Sequence, residues 1–149
     1  MFSVLFFLLF STYVTGTSNP AYRDCGSKSG MVVSLEVIPC EEHVCTLHKG
    51  TNSTIVLKFR TKDVVKHGTV AVHGILAHVP IYFPLDDATI CSFLSPPCPM
   101  LPTQDSYTYT FSLPISHSYP SVRLTIRWEL IDDHNTDIAC VEFPAQIEA

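Results

Sequence analysis

The chain has 149 residues, 46% of them hydrophobic and only 15% charged, with a net charge of −5. Its nine Lys and Arg residues are scattered, which argues against nucleic acid, because phosphate binding needs clustered cations. The same balance gives no strong pull toward an anionic membrane surface.

Phe2 to Phe10 form an apolar run broken only by Ser3, and Val14, Gly16, Thr17 and Ser18 follow it. The run is too short to span a bilayer and ends in small polar residues rather than basic ones. It reads as a secretory signal peptide over residues 1–17, cut at about 16–18, although its n-region lacks Lys and Arg. Residues 18–149 then form one mature domain with a core of its own. Cys25, Cys40, Cys45, Cys91, Cys98 and Cys140 are an even set, which in a secreted chain reads as a disulfide framework. The spacings Cys40/Cys45 and Cys91/Cys98 suit small loops, which leaves Cys25 with Cys140. Cys40, His43, Cys45 and His48 have the residue types of a zinc site, but they are too crowded for paired-knuckle geometry, so no metal is expected.

Further along, the patterns are those of strands. Val33, Leu35 and Val37 alternate with Ser34 and Glu36, and Thr54–Arg60 sets Ile55, Leu57 and Phe59 against polar neighbours. Asn52-Ser53-Thr54, just before that strand, is an N-glycosylation sequon in polar surroundings. Val70–His78 predicts a strand. The stretch Gly74 to Pro84 that overlaps it is apolar but interrupted by Pro80, and reads as an edge strand running into an aromatic loop. Pro96, Pro97, Pro99 and Pro102 stiffen a loop around Cys98. Tyr107–Leu113 alternates Tyr107, Tyr109, Phe111 and Leu113 with Thr and Ser. Leu113 to Pro120 places apolar and aromatic residues in a connection. Val122–Leu130 is the clearest alternating run, and Asp132-Asp133-His134-Asn135 reads as a hairpin loop before Ala139–Ile147, its two acids as solvated charges. Many short strands with no apolar 3.6-residue stripe predict an all-β antiparallel sandwich of six or seven strands.

The chain has seven histidines but no nucleophile elbow, zinc-protease motif or phosphate-binding glycine loop, and no cysteine is left over for a nucleophile. It reads as a non-enzyme. The unusual feature is apolar residues in two connections, around Pro80–Pro84 and Leu113–Pro120, which point to a mouth between the sheets; ordinary core covered by loops is the competing reading.

At these residues the chain resembles the Niemann–Pick C type 2 family of sterol-transfer proteins, within the ML lipid-recognition domains. The matching pieces are Asp24-Cys25-Gly26, Pro39-Cys40 with Cys45, Leu47-His48-Lys49-Gly50, Val72-His73-Gly74-Ile75-Leu76, Val79-Pro80, Phe83-Pro84 and Cys98-Pro99. They continue through Leu113-Pro114-Ile115, Ser118-x-Pro120-Ser121, Trp128-x-Leu130 and Cys140, in order. The resemblance implies an immunoglobulin-like sandwich with the pairs Cys25–Cys140, Cys40–Cys45 and Cys91–Cys98 and a pocket between the sheets. It places Phe83, Ile115 and Tyr119 at the pocket entrance with Pro120 nearby, and Val37, Tyr109, Leu113, Ile126 and Trp128 as lining. It also implies a monomeric carrier of sterol, secreted or held in the lysosomal lumen, that meets a membrane surface or a membrane sterol transporter in passing and needs no cofactor. Tyr82, Phe111, Ile115 and Val141 depart from the family pattern, which bears on ligand identity. A fatty-acid or semiochemical carrier and a lipid-recognition factor in innate immunity are the alternatives. His73, His78 and His117 lie in or near the proposed pocket loops, where protonation on acidification would loosen the mouth.

Overall fold

Segments that alternate apolar and polar side chains must bury one face each, and two sheets laid face to face satisfy all of them at once. The computed structural model describes residues 20–149, so the expected signal peptide lies outside the described residues. The strands are β1 Arg23–Asp24, β2 Gly30–Ile38, β3 Cys45–His48, β4 Asn52–Thr61, β5 Thr69–Leu76, β6 Val79–Phe83, β7 Leu94–Ser95, β8 Tyr107–Pro114, β9 Arg123–Ile131 and β10 Asp137–Glu148. One sheet runs β1-β10-β9-β5-β6 and the other β2-β4-β8-β7. Among the described residues there is no α-helix, only a 3-10 turn at Cys91–Phe93. The expected all-β sandwich is the fold observed.

Ten strands form among the described residues where six or seven were expected, because the two-residue β1 and β7 and the four-residue β3 are too short to register as alternation, and other local details differ as well. β3 is a strand that the sequence analysis did not assign; it pairs in parallel with the end of β10, Ala145 opposite Cys45 and Ile147 opposite Leu47. Its four residues are too few for alternation to register. Val33 does not share the inner face with Leu35 and Val37. The β2–β4 register shifts between Val32 and Ser34, and this bulge turns Val33 out to 43% exposure. The expected Val70–His78 strand stops at Leu76: Ala77 and His78 both take positive φ, 47° and 68°, and reverse the chain in a two-residue hairpin turn into β6. Neither Ala nor His signals such a turn. β6 is an edge strand, as Pro80 requires.

The inner faces meet in one core. Leu35 and Val37 from β2, Ile55, Leu57 and Phe59 from β4, and Tyr107, Tyr109 and Phe111 from β8 face Val70, Trp128, Leu130, Val141 and Phe143 of the other sheet. The adjacent acids of the β9–β10 hairpin hold loops rather than float in solvent. The Asp133 carboxylate accepts backbone N–H groups of Lys66 (2.7 Å), Gly68 (3.0 Å) and His67 (3.2 Å), tying the β4–β5 loop to the hairpin. Asp132, only 7% exposed, accepts the N–H groups of His134 (2.8 Å) and Thr136 (2.9 Å). Three disulfides, Cys25–Cys140, Cys40–Cys45 and Cys91–Cys98, complete the frame.

The bridges differ in what they constrain. Cys25–Cys140 spans 115 residues and Cys91–Cys98 spans 7. Chain entropy assigns about 5 kcal/mol to the first and about 2 kcal/mol to the second. Urea unfolding of the Cys25→Ala/Cys140→Ala and Cys91→Ala/Cys98→Ala variants should show the first losing at least twice as much stability; equal losses would contradict this ranking.

Asp137 gives stability a pH dependence. Burial, with the neighbouring Glu129 carboxylate as hydrogen-bond partner and like charge, raises its pKa from 3.8 to about 7, against the opposing charges of Lys28 and Arg127. The folded state therefore holds a proton that the unfolded chain has released. This contribution is complete below 3.8 and is lost as pH rises through about 7. Asp24, Asp132, Asp133 and Glu142 are shifted down, so their opposite effect lies at or below their ordinary values of 3.8 and 4.5. Thermal melts should give a higher Tm at pH 5 than at pH 8, and Asp137→Asn should flatten that difference. A wild-type Tm that rises toward pH 8 would reverse the assignment.

Candidate functional site

At one end of the sandwich the inner faces carry aliphatic side chains that do not close the space between the sheets. A cavity of about 210 Å³ lies there. Leu113, at the end of β8, forms one wall; Leu124 and Ile126 from the start of β9, Val72 from β5 and Ile147 from the end of β10 form the other, and Leu47 of β3 closes a side. The exposed surface of this wall is apolar.

The mouth is built from β6 and the β8–β9 connection. Phe83, the last residue of β6, and Tyr119, in the connection, meet edge to face with ring centroids 5.4 Å apart and planes at 83°. Tyr82 packs the same way on His73, at 5.6 Å and 61°. Burial, helped by the charge of Asp86, raises the Tyr119 pKa, so its hydroxyl stays neutral beside the apolar opening. The connection is pinned. Gly50 N–H donates to the Ile115 carbonyl (2.7 Å), Ile115 N–H donates to Thr51 (2.8 Å), and the Lys49 ammonium donates to Ser121 Oγ at 2.9 Å. Gly50 has φ +82°, and a Cβ there would stand 2.6 Å from His117 Nε2, so this turn needs glycine on both counts. The β3–β4 turn thus fixes Ile115, 2% exposed, in the cavity wall.

Of the residues expected at the pocket, Phe83, Leu113, Ile115, Tyr119, Pro120 and Ile126 lie together around this cavity. Val37, Tyr109 and Trp128 do not line it. Val37 is buried on β2, at the edge of the opposite sheet. Tyr109 and Trp128 sit deeper, in an aromatic cluster with Phe93 and Phe111: Phe93–Phe111 is 4.9 Å, Phe111–Trp128 5.6 Å and Tyr109–Phe111 6.4 Å between centroids. On β8 alternate positions run Tyr109, Phe111, Leu113 along one face, so Phe111 separates Tyr109 from the cavity residue Leu113. The sequence reading passed over Leu47, Val72, Leu124 and Ile147 as lining. The alternation around Ile126 already put Leu124 on the same face.

His73 lies in the cavity wall, with Nδ1 3.7 Å from Glu129 Oε1, whereas His78 is exposed in the β5–β6 turn and His117 is exposed against Gly50. The cysteines of the zinc alternative are joined to each other, so they offer no thiolates. Glu129, Asp137 and Cys140 cluster, but the Cys140 sulfur is bonded to Cys25. A second groove, on the outer face of the larger sheet, holds Arg23, Arg127 and Glu142. The Glu142 carboxylate accepts from both guanidinium groups, at 2.7 Å and 2.9 Å, so one anion is shared between the two cations of that groove. Asn52 is exposed at the start of β4.

A two-sheet sandwich with an apolar cavity opening at one end, sealed by aromatic rings from an edge strand and a loop, defines a lipid-binding type of β-sandwich. The profile of the ML domain matches residues 20–147, and the chain belongs to that family. It is 38% identical to the NPC intracellular cholesterol transporter 2 of Danio rerio, over 85% of this chain and 83% of that one. It is 30% identical to the protein of the same name in Bos taurus, over 99% of both. Among solved structures it resembles a Niemann-Pick type C2 protein from the Japanese carpenter ant. The TM-score is 0.79 and the identity 28%, over 86% of this chain and 99% of that one.

Proposed function

We propose that this chain binds a sterol in the cavity behind Phe83 and Tyr119 and carries it between membranes as a soluble, monomeric protein of the secretory route, outside the cell or in the lysosomal lumen. The observation that carries this reading is the cavity itself: an apolar space between the sheets, closed by two rings that meet only edge to face. The relatives named as cholesterol transporters support the choice of sterol. No catalytic step is part of the proposal. Asn52, exposed at the head of β4, is the proposed glycosylation site.

The chemistry is that of transfer out of water. A sterol is a rigid apolar body with one hydroxyl. Burying about 400 Å² of it at about 25 cal/mol/Å² gives about 10 kcal/mol before association costs. A cavity of about 210 Å³ lies below the usual range for ligands of that size, so binding requires the walls to part. Phe83 and Tyr119 are the natural point of yielding. Each is half-buried, and an edge-to-face pair separates by rotamer changes without disturbing the strands. Beside them β6 exposes Val79 (59%), Ile81 (51%) and Tyr82 (60%), an apolar edge suited to meeting a bilayer while the ligand passes.

Titration of delipidated protein with a fluorescent sterol tests the reading. Saturable one-to-one binding is expected, weakened about tenfold by Phe83→Ala or Tyr119→Ser through lost ring contact, with little change in Tm. Absent sterol binding together with tight fatty-acid binding would overturn it.

A further inference from the structure

Gly74 stands apart from the rest of the cavity wall. It lies inside β5 between Val72 and Leu76 on the same face, and across the strands it is registered with Ile126 on β9 and Ile81 on β6. Gly74 and all four of these neighbours line the cavity. The glycine therefore leaves a notch in a wall that branched aliphatic side chains otherwise cover. Glycine weakens a strand interior, because it loses more backbone entropy than alanine and has no side chain to pack.

A strand keeps such a residue for a bulge, for a backbone conformation closed to other residues, for the close approach of another segment, or for a bound molecule. The first three do not apply. The register of β5 with β6 and with β9 runs unbroken through Gly74. Its φ lies outside the left-handed range, unlike that of Gly26, Gly50 and Gly68. Among the described residues a Cβ there would meet one atom within 4 Å, Leu124 Cδ1 at 3.1 Å, and no backbone. That atom is the free end of a side chain that itself lines the cavity, so it has room to yield. Gly30 is the contrast, since a Cβ there would run into the Arg60 and Ile138 carbonyls. Alanine fits at Gly74, and what it would fill is cavity.

We infer that Gly74 is a specificity-determining residue: the rigid ring body of the ligand lies against the bare β5 backbone at this notch, so the wall selects fused rings over flexible chains. This deepens the sterol-carrier reading and rests on it. The selection follows from stiffness. Fused rings have a fixed thickness and cannot withdraw from a methyl group placed in their seat. An acyl chain goes round it by rotating a few bonds. A cavity of about 210 Å³, which a sterol must already enlarge, has little slack elsewhere to absorb the change.

Delipidated wild-type and Gly74→Ala proteins are titrated with a fluorescent sterol and with oleate. In Gly74→Ala the sterol affinity should fall about tenfold and the oleate affinity less than about threefold. Without ligand the variant should melt at the wild-type temperature or above, since alanine is the better strand residue. A lower melt overturns the inference, because the glycine would then serve the fold. Leu124→Ala removes the one atom that the new methyl touches, so the same substitution in that background isolates the direct contact. Sterol affinity should again fall about tenfold between Leu124→Ala and Leu124→Ala/Gly74→Ala. A ratio near one assigns the loss to a displaced Leu124 and overturns the inference. So does an unchanged sterol affinity, or an equal loss of sterol and oleate, and in each case the carrier reading stands. If the sterol does not bind the wild-type protein, both readings fall together.

Discussion

Large rings set the distance between the two sheets. Trp128, Tyr109, Phe59 and Phe143 are completely or almost completely buried, and Phe111 and Phe93 complete the layer around Trp128 and Tyr109. Strands are stiff on the scale of a few residues, so the separation these rings impose persists to the next positions on β8 and β9. There the inward side chains are Leu113, Ile126 and Leu124, which do not span the gap. Interiors are normally filled to crystal-like density. The change from ring to aliphatic within one strand repeat is what leaves a cavity, and the mouth residues matter only because that space exists.

The periphery of the cavity is rigid in most places and soft in one. Leu47 sits on β3, which is paired to β10, and Ile115 is held by reciprocal backbone bonds with the Gly50 turn. The Cys40–Cys45 bridge closes the approach to β3. The contact between Phe83 and Tyr119, by contrast, joins an edge strand to a loop through an edge-to-face ring pair. A ligand that opens the sandwich therefore meets least resistance there, and β6 offers its apolar side chains next to that opening.

Period-two alternation made the fold legible. It located β4, β8, β9 and β10 to within a few residues, and Pro80 marked the edge strand. Alternation reports which face a residue occupies, but not how far along the sheet it lies. That is why Tyr109 and Trp128 look equivalent to Leu113 and Ile126 in the sequence, although the first pair packs in the aromatic layer and the second lines the cavity. The bulge that turns Val33 outward and the Ala77–His78 hairpin turn leave no residue signature, since both depend on pairing with neighbouring strands. Asp132 and Asp133 look like loop charges until the β4–β5 loop is brought against them.

Whether the space between the sheets admits a ligand is decided most directly by native mass spectrometry of delipidated protein after exposure to sterol-bearing vesicles, alongside an Ile126→Trp variant that fills the cavity. The account predicts a single sterol adduct on the wild-type chain and its loss from the folded variant. A wild-type chain that stays free of sterol, or an adduct that survives the filled cavity, would contradict it.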